Sequence, residues 1–182
     1  MHNPPVFSFA IQEPAEFGEW LDILARIRPR RGLEIGTYTG GSACLTLEAL
    51  PKIKSLITVD IQDRSKEMPE AAVPFLSRIT FVRGDSHLVG TRDAVVRTLG
   101  RKCLDFLFID GYHSYESVSA DFYLYAPLVR PGGLVALHDI QSVKLGYEHT
   151  AGVERFWQEL STREPERCQS ITRSFGIGIY TR

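Results

Sequence analysis

Leu33-Glu34-Ile35-Gly36-Thr37-Tyr38-Thr39-Gly40-Gly41-Ser42-Ala43 is the stretch that decides how this chain is read. A short apolar run carrying an acid passes through a glycine-rich turn into a segment suited to a helix. Gly36, Gly40 and Gly41 permit backbone conformations and close approaches that side chains would block, so a ligand is expected against the turn. A dinucleotide fingerprint wants G-x-G-x-x-G. Here Tyr38 occupies the place of the second glycine, where a pyrophosphate must touch backbone, and this counts against NAD or FAD.

Outward from the turn, Phe17, Leu21, Leu24 and Ile27 recur at helical spacing and predict an amphipathic helix over 14–27. Short apolar runs at 33–35, 56–59, 79–82, 104–109 and 134–137 read as buried strands, separated by helical segments at 42–50, 68–76, 92–99 and 115–128. This alternation predicts an α/β fold with a parallel sheet covered on both faces. Pro131-Gly132-Gly133 is expected to end one helix and launch the fifth strand, with Asp121 also read as architectural. After a helix over 153–160, runs at 168–172 and 176–180 flank Arg173-Ser174-Phe175 and predict an antiparallel hairpin. The whole is a doubly wound, mostly parallel seven-stranded sheet in a single domain, 1–182. Residues 1–30 form a helical lead, 31–140 the cofactor-binding and catalytic core, and 141–182 a lid loop, helix and hairpin.

Composition is that of an ordinary globular protein: 182 residues, 43% hydrophobic and 24% charged, enough for one core. A net charge of -1 provides no general attraction for nucleic acid, and Arg26, Arg28, Arg30 and Arg31 around Pro29 read as a solvated helix exit. Cys44, Cys103 and Cys168 are odd in number and far apart, which suits a reducing cytoplasm. No apolar run reaches the roughly 18 residues of a membrane span, and the N-terminus lacks the features of a signal peptide.

In doubly wound sheets ligands bind beyond the carboxyl ends of the strands. The ends here carry Glu34, Asp60, Asp85-Ser86, Asp110-Gly111-Tyr112-His113 and His138-Asp139. S-adenosylmethionine, which has no phosphates, supplies partners for the acids of the first three strand ends. Glu34 suits its ammonium, Ser42 and the free N–H groups of the following helix its carboxylate, Asp60 its ribose hydroxyls, and Asp85 with Ser86 its adenine. The competing reading of Asp60 and of Asp85-Ser86 is a helix N-cap. Methyl transfer from a sulfonium requires the acceptor to be held in line and deprotonated. Asp110 and Asp139 end neighbouring strands and suit a hard divalent cation that would favour an alkoxide; His113 suits a general base. Tyr112 and Tyr115 read either as acceptor-pocket residues or as packing, and no partner is inferred for His87 or His149.

The turn resembles motif I of the class I methyltransferases, and especially the catechol O-methyltransferase group, at Glu34, Gly36, Tyr38, Gly40, Ser42 and Ala43. The segment FLFIDGYHSYESVSADFYLYAPLVRPGGLVALHDI, residues 106–140, resembles O-methyltransferases related to cephalosporin hydroxylase and to the macrolide sugar methyltransferases. The resemblance implies a Rossmann-like fold, S-adenosylmethionine as cofactor, and O-methylation of a small-molecule hydroxyl on a sugar, polyol or phenol. It also implies Mg2+ or Mn2+ held by Asp110, Asp139 and His138. His138 departs from the pattern, since relatives usually carry Asp or Glu there; a softer ligand suits Mn2+, Fe2+ or Zn2+, or else the ring points elsewhere. At the position of His113 the catechol-type enzymes have a lysine base and the macrolide sugar enzymes a histidine. Three alternatives stay open: a metal-independent methyltransferase, an NAD-type oxidoreductase and a non-catalytic cofactor-binding protein. Monomer and homo-oligomer are both compatible with the sequence.

Overall fold

The computed structural model describes residues 11–64, 68 and 70–182. The reading of the extreme N-terminus and part of the helix expected over 68–76 lie outside the described residues. Glu13 opens helix α1 (Pro14–Arg26) by accepting the N–H groups of Ala15 and Glu16, and Pro14 stands where no N–H is needed. Phe17, Trp20, Ile23 and Leu24 form its buried face, and Trp20 stacks on Phe108 with ring centroids 6.1 Å apart.

Strands β1 (Arg31–Ile35), β2 (Ser55–Asp60), β3 (Ile79–Arg83), β4 (Leu104–Ile109) and β5 (Val129–His138) alternate with helices. These are α2 (Gly41–Ala49), the single turn α3 (Val73–Leu76), α4 (Val89–Leu99) and α5 (Tyr115–Tyr125). Helix α6 (Ala151–Arg163) and strands β6 (Cys168–Ile171) and β7 (Ile177–Thr181) complete the chain. The seven-stranded sheet runs β3-β2-β1-β4-β5-β7-β6, with β1 to β5 parallel and the β6–β7 hairpin antiparallel. β4 is buried along its whole length because helices cover both faces. Leu107 and Ile109 pack in one apolar layer with Val118 of α5 and Trp157 of α6. Phe106 and Phe108 pack in the other with Trp20 of α1 and Leu47 of α2.

Two expectations change. The helix expected over 68–76 is a 3-10 turn at Glu70–Ala72 followed by α3, whose Pro74 has no N–H with which to continue a longer helix. Pro131-Gly132-Gly133 does not precede β5 but lies inside it as a bulge: the register passes from Leu104↔Val129 to Phe106↔Leu134. The bulge is tied down, with the Gly132 N–H donating to the Arg182 carbonyl at 2.7 Å and the Arg182 N–H to the Gly133 carbonyl at 3.0 Å.

The winding reverses between β1 and β4, and there the turn after β1 lies directly on the end of β4. Gly36 makes this approach possible: its φ is +94°, and an added Cβ would sit 2.0 Å from the Asp110 carbonyl oxygen. Among the described residues no helix is long and apolar enough to cross a membrane.

Candidate active site

At the end of β1, the Glu34 side chain is buried at 2% exposure and accepts the Ser42 hydroxyl at 2.6 Å. Burial pushes the Glu34 carboxyl up to about 8; the Ser42 bond opposes the rise and the Asp110 charge adds to it. The turn itself is clamped by β2, because Asp60 Oδ2 accepts the N–H groups of Thr37 and Tyr38, each at 3.1 Å. Asp60 Oδ1 takes the Gln62 N–H at 2.9 Å in a local turn. Tyr38 has φ +43° and leaves its ring 55% exposed. Helix α2 then starts on Gly40, which has no side chain to cap the first N–H groups.

The ends of β4 and β5 bring two acids and two imidazoles together. His113 Nε2 is 3.0 Å from Asp139 Oδ2, and His138 Nδ1 is 3.2 Å from the same oxygen and 3.4 Å from Asp110 Oδ1. Asp110 Oδ2 accepts the Gln12 amide at 2.8 Å, and Asp139 Oδ1 accepts the Ser142 hydroxyl at 2.5 Å. Beneath them lies a third acid, Glu16, whose Oε1 is 3.6 Å from His138 Nε2. Its other oxygen accepts the N–H groups of Ser174 and Gly176, each at 2.8 Å. Asp139 adopts φ +68°, the left-handed region, where aspartate is among the better tolerated side chains.

The electrostatics follow from this crowding. Burial works against a charge on His138, but Asp110, Asp139 and Glu16 outweigh it and raise its pKa well above the ordinary value. Burial likewise opposes ionisation of Asp110 and Asp139; the imidazoles beside them prevail and hold both carboxyls below the usual range. The contact with Asp139 raises His113, against a smaller effect of burial.

Two cavities meet at this cluster and share Gly36, Tyr38 and Asp110. The larger, about 530 Å³, runs past Asp60, Ile61, Asp85, Ser86, His87 and Tyr112. The smaller, about 390 Å³, is walled by Gln12, His113, Asp139, Tyr147, His149 and Phe175.

The sequence profile of a family described as a methyltransferase domain matches residues 33–140. The chain belongs to this methyltransferase family. A flavonoid 3',5'-methyltransferase of Vitis vinifera is 29% identical over 134 residues, which cover 68% of this chain and 53% of that protein. The chain spans 17% to 52% of the length of three further curated relatives that it matches. The O-methyltransferase TomG of Streptomyces achromogenes, in complex with SAM, shares the fold with a TM-score of 0.68 at 24% identity, over 94% of this chain and 81% of that one. An O-methyltransferase of Bacillus cereus, in complex with SAH, does so with a TM-score of 0.63 at 18% identity, over 97% and 95%.

In this family member the expected site residues divide into groups. Asp110, His113, His138 and Asp139 converge as their strand ends require. Gly36, Tyr38, Asp60, Asp85 and Ser86 line the larger cavity, and Gly36, Tyr38 and Ser42 line the smaller. Glu34 and Gly40 line neither: Glu34 supports Ser42 from below, and Gly40, with φ +74°, starts α2. Of the two tyrosines, Tyr112 is exposed at the larger cavity, whereas Tyr115 packs on Phe156 and bonds Glu159, away from both. Gln12, Glu16, Ile61 and Phe175 were not legible as site residues. Only Ile61, next to Asp60, carried any local signal.

Proposed function

We propose that the chain is an S-adenosylmethionine-dependent O-methyltransferase acting on a small-molecule hydroxyl. The observation that carries this reading is the meeting of two cavities at Asp110, with His113 and Asp139 on the smaller side. The nucleoside lies in the larger cavity, its ribose hydroxyls at Asp60 and its adenine between Ile61 and Tyr112, near Asp85 and Ser86. The methionine carboxylate meets the uncapped start of α2, and the ammonium lies on the Glu34 side of the turn. The acceptor enters the smaller cavity, whose Tyr147 and Phe175 rings, 5.4 Å apart, suit a planar ring such as a phenol.

His113 takes the hydroxyl proton, and Asp139 orients the ring and stabilises the imidazolium that forms. The acceptor oxygen then attacks the methyl carbon while the carbon–sulfur bond breaks, leaving S-adenosylhomocysteine. Asp110, His113 and Asp139 each offer one ligand atom, all within 4.8 Å of one another, and this donor set fits a divalent cation such as Mn2+ or Mg2+; with the ion bound, His113 would hold it and would not serve as the base. When bound there, the ion would supply acidification of the acceptor hydroxyl. The position of His138 favours a second, metal-independent reading, because its ring already faces both acids that a cation would use.

Thermal-shift measurements with S-adenosylhomocysteine and with NAD test the cofactor, and the first alone is expected to stabilise the protein. A panel of phenols and sugars assayed with and without EDTA tests the metal. Loss of activity on chelation with recovery on adding Mn2+ supports the metal-assisted reading; activity unchanged by EDTA removes it.

A further inference from the structure

Asp121 takes no part in the chemistry above, yet its carboxyl is completely buried, at 0% exposure. It lies under the floor of the larger cavity: a Cβ added to Gly111, which lines that cavity, would be 3.8 Å from Asp121 Oδ2. Among the described residues neither oxygen has a hydrogen bond of good geometry; Ser86 and the His87 ring, whose Nε2 is 3.7 Å from Oδ1, act on it from the larger cavity's side. Burial pushes this carboxyl up to about 6; Ser86 and His87 act against the rise and Asp85 adds to it. A buried acid so poorly satisfied is costly to keep, and such groups call for an explanation.

The ring above it supplies one. His87 stands between two acids: its Nδ1 is 3.0 Å from Asp85 Oδ1, and its Nε2, which makes no hydrogen bond among the described residues, faces Asp121. The His87 N–H donates to that same Asp85 oxygen at 2.9 Å. Tyr125, one turn after Asp121 on α5, donates its hydroxyl to the Ser86 carbonyl at 2.9 Å. One face of α5 therefore holds the Asp85-Ser86-His87 loop, and both groups of His87 engage Asp85 Oδ1, leaving Oδ2 for a ligand.

We propose that Asp121 and His87 are positioning residues that aim the Asp85 carboxylate at the amino group of adenine, and so set a preference for adenine over hypoxanthine. The inference rests on the nucleoside lying in the larger cavity. Adenine presents an amino donor at its sixth position, whereas hypoxanthine presents a carbonyl. A carboxylate held in place bonds the first and meets the second acceptor against acceptor, with no proton between them. A loop merely packed by Asp121 would lose affinity for both nucleosides equally, so the ratio of affinities distinguishes reading the base from supporting the loop.

Calorimetry of the full chain with S-adenosylhomocysteine and with its deaminated counterpart, S-inosylhomocysteine, provides the test. The unmodified protein is expected to favour the adenine compound by about 10- to 100-fold. His87→Ala and Asp121→Asn should each reduce that ratio by about fivefold or more, through weaker binding of the adenine compound. A ratio preserved in both variants, even with both affinities lowered, overturns the proposal. Should Asp121→Asn fail to fold, His87→Ala carries the test alone, since that side chain is 31% exposed. Failure of the unmodified protein to bind S-adenosylhomocysteine overturns the cofactor reading itself, an outcome distinct from a ratio that survives substitution.

Discussion

His113 and Asp60 hold the two ends of the proposed chemistry, proton removal and cofactor binding, and one substitution tests each. His113 lines the smaller cavity, 3.0 Å from Asp139, and does not line the larger one. His113→Ala should therefore lower turnover by about 10²- to 10⁴-fold, the usual contribution of a general base, while calorimetry shows cofactor affinity nearly unchanged. Undiminished turnover would remove His113 from the chemistry. Asp60 has two tasks, since the oxygen that clamps the turn at Thr37 and Tyr38 belongs to the carboxylate expected to meet the ribose. Asp60→Ala should weaken S-adenosylhomocysteine binding by about tenfold or more, the loss expected for charge-assisted hydrogen bonds. Unaltered affinity would refute the ribose assignment.

Between elements, the decisive joint is that of α1 with the β6–β7 turn. Glu16 reaches from α1 to the backbone N–H groups of Ser174 and Gly176 and faces His138 with its other oxygen. Arg173 adds an exposed pair with Glu19 at 2.8 Å, which contributes little beside a fully buried carboxylate. Glu16→Ala leaves two turn N–H groups and the His138 ring without their acid, and should cost about 3 kcal/mol or more in urea denaturation. Hydrogen exchange at Ser174 and Gly176 should rise in the same variant. Exchange that stays slow there would show that the hairpin docks without Glu16.

For the molecule as a whole, Asp105 ties three strands at the end of the sheet opposite the site. Its Oδ2 accepts the N–H groups of Arg30 and Arg31 at 2.8 and 2.9 Å, and its Oδ1 meets Arg130 Nε at 2.7 Å. Burial alone would raise this carboxyl; Arg130 and the two N–H groups hold it below the usual value. A folded-state pKa below the unfolded one means that the stabilisation is present above about pH 4 and is lost as pH falls through the folded value. Urea midpoints should accordingly drop below about pH 4, less steeply in Asp105→Asn, which should itself be less stable by about 2 kcal/mol near neutrality. Because Asp110 and Asp139 are also held low, this variant should soften the acid transition without abolishing it. An acid transition as steep as in the unmodified protein would show that Asp105 takes no part.

The order of strands and helices, the glycine turn and the acids at the strand ends were all readable from the chain, because each is written in local spacing. A strand that ends on Asp110 presents that acid at the carboxyl edge of the sheet whatever packs around it. The acids' partners were not readable. Gln12 reaches Asp110 across 98 residues of sequence, and Glu16 reaches Gly176 across 160. The supporting role of Glu34, the environment of His138 and the burial of Asp121 likewise depend on helices arriving from distant parts of the chain. Periodicity records which face of a helix is buried, not which acid that face will meet. Sequence alone thus determined which strand ends carry the acids and imidazoles that converge. Tertiary packing decided the charge balance within it, since desolvation and opposing charges act through space rather than along the chain.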